Sequence, residues 1–152
     1  MNIQTDKRII SWFSCGAASA FATYLAKDKY KDNTFEAVYC RVAEEHEDNM
    51  RFLEDYQTKC SIPVKVIGDE RRDFSIYKVF EERKFIKGQT GAPCTMVLKK
   101  NIRKAYERPT DVQIFGYTVE EESRVNRFID SNNDVNADFI LVDGGYTKKD
   151  CL

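Results

Sequence analysis

The chain of 152 residues is long enough for one domain with a buried core, and 42% of it is apolar. Lys and Arg number 24 against 25 Asp and Glu, a net charge of −1 that lacks the basic excess of a general nucleic-acid binder. No membrane-length apolar run or secretory leader is evident, and Cys15, Cys40, Cys60, Cys94 and Cys151 are scattered without a C-x-x-C pair. Reduced thiols and a cytoplasmic location are expected, and the cysteines with the single His46 lack zinc-ligand spacing.

The apolar run Ile9–Phe13 predicts a first strand, and a loop holding Ser14, Gly16 and Ser19 leads into an Ala-rich helix over Ala17–Tyr30. Phe35–Val42 predicts a second strand. Met50, Leu53, Tyr56 and Cys60 mark one face of a helix, and Pro63–Ile67 gives a third strand. A helix from about Phe74 to Phe85, a bend at Gly88–Pro93 and another helix reaching Tyr106 follow. The last elements are a strand at Val112–Tyr117, a helix at Val119–Asp130 and a strand at Phe139–Val142. This alternation predicts an α/β fold: a doubly wound, mostly parallel five-stranded sheet with helices on both faces, formed by residues 1–152 as one nucleotide-binding domain. Ligands of such sheets bind beyond the carboxyl ends of the strands.

The loop after the first strand is the most informative segment. A strand entering a helix through small residues presents first-turn N–H groups that lack intrahelical partners, and the helix dipole favours an anion there. Several phosphate and nucleophile motifs are excluded by the residues themselves. No lysine follows Gly16 as a Walker A loop requires, a single glycine does not make G-x-G-x-x-G, and Trp12 and Gly16 flank Ser14 asymmetrically for a nucleophile elbow. A cysteine-phosphatase loop would place an arginine where Phe21 stands. What remains is S-x-G-x-x-S.

Other segments fall at the same sheet edge. Glu44-Glu45-His46-Glu47-Asp48-Asn49 follows the second strand, where it is either a nucleotide contact or a solvated helix start. Cys94 stands at the Gly91-Ala92-Pro93-Cys94-Thr95 helix entrance. Beyond it Lys99 and Arg103 share a helix face, as an anion clamp or as a basic solvent face. Gly116-Tyr117 ends a strand, and Thr118 with Glu121 forms a capping-box pattern. Arg124, one turn beyond Glu121, is its ion-pair partner or a phosphate ligand. Thr147 and Asp150 repeat the capping pattern just before Cys151 and Leu152.

In order, S-x-G-x-x-S, E-H-x-D-N, G-A-P-C-T with later lysines, G-Y-T-x-E-E-x-R and G-Y-T-K-K-D-C resemble the phosphoadenosine phosphosulfate reductase-like proteins common in bacteriophages and bacteria. These belong to the adenine nucleotide alpha hydrolases, or PP-loop ATP pyrophosphatases, and the resemblance runs from Ile9 to Cys151. It implies that Ser14, Cys15, Gly16, Ala17, Ala18 and Ser19 hold nucleotide phosphates and that Gly116 and Tyr117 flank the nucleotide. It further implies that Lys99 and Arg124 face the substrate anion, which Arg103 joins by its helical spacing from Lys99; the catalytic residue is left unknown, with Lys99, Arg124, Cys94 and His46 as candidates. The ligand is then ATP or phosphoadenosine phosphosulfate, with Mg²⁺ bridging phosphates in the case of ATP and no protein metal site.

Two departures from the pattern stand out: Cys15 replaces the first glycine of the SGGxDS-type loop, and Ala18 replaces its aspartate. The reductases also carry a cysteine-bearing tail beyond the T-K-x-D-C segment. Two activities follow as expectations, chemistry at the alpha phosphate or its sulfonate, or nucleotide binding without turnover. A second copy covering an open sheet edge is the remaining partner expectation.

Overall fold

The computed structural model describes residues 7–42, 48–72, 74, 75, 77, 78, 81 and 96–152. Five strands form one sheet: β1 (Arg8–Trp12), β2 (Thr34–Cys40), β3 (Val64–Ile67), β4 (Val112–Ile114) and β5 (Asn136–Asp138). Their spatial order is β3-β2-β1-β4-β5, and every neighbouring pair is parallel. The order reverses at β1, whose neighbours are β2 and β4. In a doubly wound sheet a ligand crevice opens beyond the carboxyl ends of the strands at such a reversal.

Helix α1 (Ala17–Lys29) packs on β1 through small side chains, with Ala22 and Ala26 almost wholly buried. Its polar residues facing the sheet are satisfied locally: Ser11 and Thr23 share a 2.8 Å hydroxyl contact, and Thr23 Oγ1 donates to the Ser19 carbonyl. Helix α2 (Asp48–Cys60) packs beside α1 on the same face of the sheet, where Leu53 and Tyr56 share a cluster with Ala20 of α1 and with Phe13, Ala37 and Tyr39. The Tyr56 hydroxyl donates to the Ala20 carbonyl at 2.8 Å, and burial pushes its phenol above the ordinary value. That bond ties α2 to the first turns of α1.

At the amino-terminal edge, Arg8 joins three strands and a helix. Its guanidinium makes paired bonds to buried Asp111 at 3.0 and 2.6 Å and another to Glu36 at 3.1 Å. It also lies 4.9 Å from the Tyr106 ring centre. Bonding to Asp111 is the main cause that raises the Arg8 pKa, so the group is held charged.

The carboxyl-terminal third differs from expectation. The predicted strand at Phe139–Val142 is a helical turn, α5 (Ile140–Asp143), and the edge strand is instead Asn136–Asp138. A short apolar run does not by itself separate strand from helix. Here Phe139 joins an aromatic cluster with Phe115 and Phe128, whereas Leu141 enters the α1 core beside Ile9 and Ala22. A helical turn lets side chains two apart reach these separate clusters. Asp138 pins β5 to α1 by accepting from Lys29 Nζ at 2.6 Å and from the Tyr30 hydroxyl at 2.5 Å.

The remaining elements lie near prediction. Helix α3 (Asn101–Tyr106) is preceded by a π-helical turn at Met96–Lys100, and α4 (Glu122–Ser131) by a 3₁₀ turn at Val119–Glu121. The strand at Val112–Tyr117 pairs only through Ile114. The Thr118–Glu121 contact runs opposite to a capping box: the Thr118 hydroxyl reaches Glu121 Oε1 at 3.3 Å, while the Glu121 N–H donates to the Thr118 main-chain carbonyl. The reciprocal box forms at Thr147 and Asp150, at 3.2 and 2.9 Å. The predicted helix from Phe74 and the Gly88–Pro93 bend fall largely outside the described residues, as do His46 and Cys94.

Candidate functional site

The loop joining β1 to α1 is closed on itself by Ser19. Ser19 Oγ accepts from the Ser14 N–H at 2.9 Å and contacts Ser14 Oγ at 3.0 Å, while its own proton goes to the Gly16 carbonyl at 3.1 Å. Ser19 is therefore a buried brace, and Ser14 is the exposed hydroxyl of the pair. Gly16 caps α1 without a side-chain hydrogen bond, and no acidic residue occupies the first turn. The first-turn N–H groups of Ala17–Ser19 thus meet neither a side-chain cap nor a nearby carboxylate of their own turn, the condition an anion needs. Cys15 has φ of 61°, a left-handed conformation that glycine adopts freely.

Gly116 stands directly behind this turn. A β-carbon there would lie 2.6 Å from Ser19 Cα and 2.8 Å from Ser19 N. The end of β4 therefore presses on the α1 backbone, a close approach between two chain segments that only glycine permits.

A cleft of about 620 Å³ opens over these strand ends. Ser14 forms part of its wall, and Lys99, Lys100, Arg103 and Lys104 line it from the π-turn and α3. Tyr117, Arg124 and Arg127 line it from the β4 end and α4. Among the described residues, six cations and no carboxylate line this space, in a chain whose overall charge is −1. Such one-signed lining in a low-dielectric concavity concentrates anions.

The cations are held in different ways. Arg124 donates to Glu121 at 2.8 Å and stacks its guanidinium 5.2 Å from the Tyr117 ring centre, so it pairs with the acid and also lines the cleft. Arg103 is mostly buried. Its guanidinium lies 5.7 and 5.3 Å from the ring centres of Phe115 and Phe128, and Nη1 has no hydrogen-bond partner among the described residues. The nearest carboxylate, Glu107, is 3.5 Å away.

Of the sequence-predicted residues, the structure brings Ser14, Lys99, Arg103, Tyr117 and Arg124 to one cleft. Cys15, Gly16, Ala17 and Ala18 form the adjoining loop and first turn, while Ser19 and Gly116 lie behind it. Sequence reasoning missed the aromatic part of the wall, Trp12, Phe115 and Phe128, and left out Lys104 and Arg127. Arg124, Arg127 and Ser131 follow helical spacing, the signal that could have found that face of α4.

No protein-family model and no curated protein matches the chain. Solved structures do match. The NH3-dependent NAD synthetase from Campylobacter jejuni, determined in complex with nitrate, aligns at a TM-score of 0.54 and 13% identity over 80% of this chain and 51% of the synthetase. The fold, a parallel five-stranded α/β sheet with helices packed on it, is shared with that structure. A predicted subunit of tRNA methyltransferase from Methanocaldococcus jannaschii aligns at 0.54 and 15% identity, over 95% of this chain and 72% of that subunit. The chain thus spans about half the length of the synthetase.

Proposed function

We propose that this chain binds an adenine nucleotide with its phosphates on the Ser14–Ser19 loop, acting at the alpha phosphate or at a sulfonate attached to it as the phosphoadenosine phosphosulfate reductase-like proteins do. The observation that carries this reading is the meeting of an acid-free first turn of α1 with a cleft whose described lining is cationic, at the β1/β4 reversal. In this reading the first-turn N–H groups and the Ser14 hydroxyl hold the phosphates. Lys99, Arg103 and Arg124 neutralise the charge that grows on the leaving oxygens as the bond at the alpha phosphate breaks. Tyr117 offers a ring face beside the nucleotide. Mg²⁺ would accompany ATP, but the described cleft residues supply no carboxylate to hold it, and Ala18 occupies the loop position where an acid would stand.

A second reading, binding without turnover, draws on the same lining. The described wall holds cations, hydroxyls and rings but no carboxylate or imidazole for general acid–base work. Incubation with ATP, and with phosphoadenosine phosphosulfate together with a dithiol that supplies the two electrons sulfite release requires, followed by product analysis, separates the two. Release of AMP with pyrophosphate, or of sulfite, supports the first reading; tight binding with intact nucleotide supports the second; absence of binding defeats both.

A further inference from the structure

Gln113 is a polar residue in the middle of a buried parallel strand, between Val112 and Ile114, and is only 2% exposed. An amide there is costly unless both of its ends are satisfied. Its Oε1 accepts from the Trp12 indole N–H at 2.9 Å, and its Nε2 donates to Glu107 Oε2 in a short hydrogen bond. That same oxygen lies 3.5 Å from Arg103 Nη1, beyond hydrogen-bond length. The line Trp12–Gln113–Glu107–Arg103 begins and ends on residues that wall the cleft.

We infer that Gln113 is a positioning residue that keeps Arg103 available to an anion in the cleft by holding the Glu107 carboxylate away from it. A carboxylate one helical turn from an arginine is within reach of pairing with it, and an arginine–carboxylate pair can close in a bidentate fork. Gln113 competes for that carboxylate. Arg103 is left charged between Phe115 and Phe128, whose faces attract a cation but accept no strong hydrogen bond, with its Nη1 proton unsatisfied. A phosphate or sulfonate oxygen of a bound ligand completes it. The inference rests on the proposed function only in taking the cleft as an anion site.

The test uses inorganic pyrophosphate, titrated by calorimetry into the wild type, Arg103→Gln, Gln113→Met and the double variant, with thermal unfolding followed in parallel. Loss of a charge-assisted hydrogen bond is expected to weaken binding by about tenfold in each single variant. The double variant binds no more weakly than Arg103→Gln alone, because Gln113 acts through Arg103. Trp12 is the only tryptophan, so its emission reports the relay, and Gln113→Met shifts it without ligand.

Gln113→Glu keeps the side-chain length and serves if Gln113→Met does not fold. Its carboxylate cannot donate to Glu107, whereas its protonated form can, so its affinity relative to the wild type recovers as pH falls; a purely structural role gives no such recovery. Additive losses, wild-type affinity in the Gln113 variants, or a wild type that does not bind pyrophosphate overturn the inference. A wild type that binds pyrophosphate in this pattern but ignores ATP leaves the relay standing and defeats the nucleotide reading. ATP binding with an unaffected Gln113→Met variant does the reverse.

Discussion

Gly116 and Ser19 are in direct backbone opposition: a β-carbon on Gly116 would lie 2.6 Å from Ser19 Cα. The loop that presents Ser14 is thus set from behind by the end of β4 as well as by the Ser19 hydroxyl in front. Strand order makes this contact possible, because β1 and β4 are parallel neighbours paired from Ile9↔Val112 to Ser11↔Ile114.

Gly116→Ala must therefore push the first turn of α1 away or strain the end of β4. Overpacking of this kind costs about 1–3 kcal/mol. The expected outcome is a lower denaturation midpoint together with weaker nucleotide binding, since the displaced N–H groups are those assigned to phosphate. Chemical denaturation and calorimetry check the two effects; a variant unchanged in both contradicts the packing described.

Cys15→Gly should go the other way in stability. The left-handed φ of 61° carries a penalty of about 1–2 kcal/mol for an ordinary residue, and the greater chain entropy of glycine takes back about 0.5–1 kcal/mol. A gain of up to about 1 kcal/mol in urea unfolding is the expected result. Cys15→Val, branched at Cβ, should destabilise the same fold.

Asp111→Ala removes the fully buried partner of Arg8 and leaves a guanidinium whose side chain is 11% exposed with only Glu36 and the Tyr106 carbonyl among the described residues. Breaking such a pair from one side costs about 3–5 kcal/mol. The loss should appear in thermal unfolding with little change in the cleft, which lies at the opposite edge of the sheet. A variant as stable as the parent would show that water or another group replaces the carboxylate.

Glu120 gives a pH-dependent marker for the packing of the last segment. Hydrogen bonding from the Thr118 hydroxyl, which Glu120 shares with Glu121, from its own backbone N–H and from the Lys148 N–H holds its carboxyl below the ordinary value of 4.5. A lowered carboxyl contributes stability that is present above the ordinary value and is lost as pH falls through the folded-state value. The Lys148 amide, 3.2 Å from both Glu120 oxygens, should therefore lose protection from hydrogen exchange as pH falls below that ordinary value and through the folded-state one. In Glu120→Gln that acid-linked loss should vanish.

Much of this architecture was legible in the residues. Ile9–Phe13 followed by Ser14, Gly16 and Ser19 identified the first strand and the loop into α1, because strand pattern and small-residue turn are both local signals. Lys99 and Arg103 were found by spacing. The apolar run at Phe139–Val142 misled because its side chains serve two clusters, and which cluster each joins depends on residues far away in sequence. The seat of Arg103 was hidden for the same reason: Phe115 comes from the end of β4 and Phe128 from α4, and neither has a fixed sequence relation to it. The sequence could not show that the Ser19 hydroxyl would be engaged by Ser14 and Gly16, because that brace depends on how the loop closes.

The most direct measurement is a calorimetric titration of ATP into the wild type and Ser14→Ala. Ser14 is exposed, and its hydroxyl adds only one bond to the loop brace, so the variant should keep the fold. The account predicts saturable ATP binding by the wild type and a loss of about fivefold or more in Ser14→Ala with its unfolding temperature retained. A wild type that does not bind ATP, or a Ser14→Ala variant that binds it equally tightly, would contradict the assignment of this loop to the nucleotide phosphates.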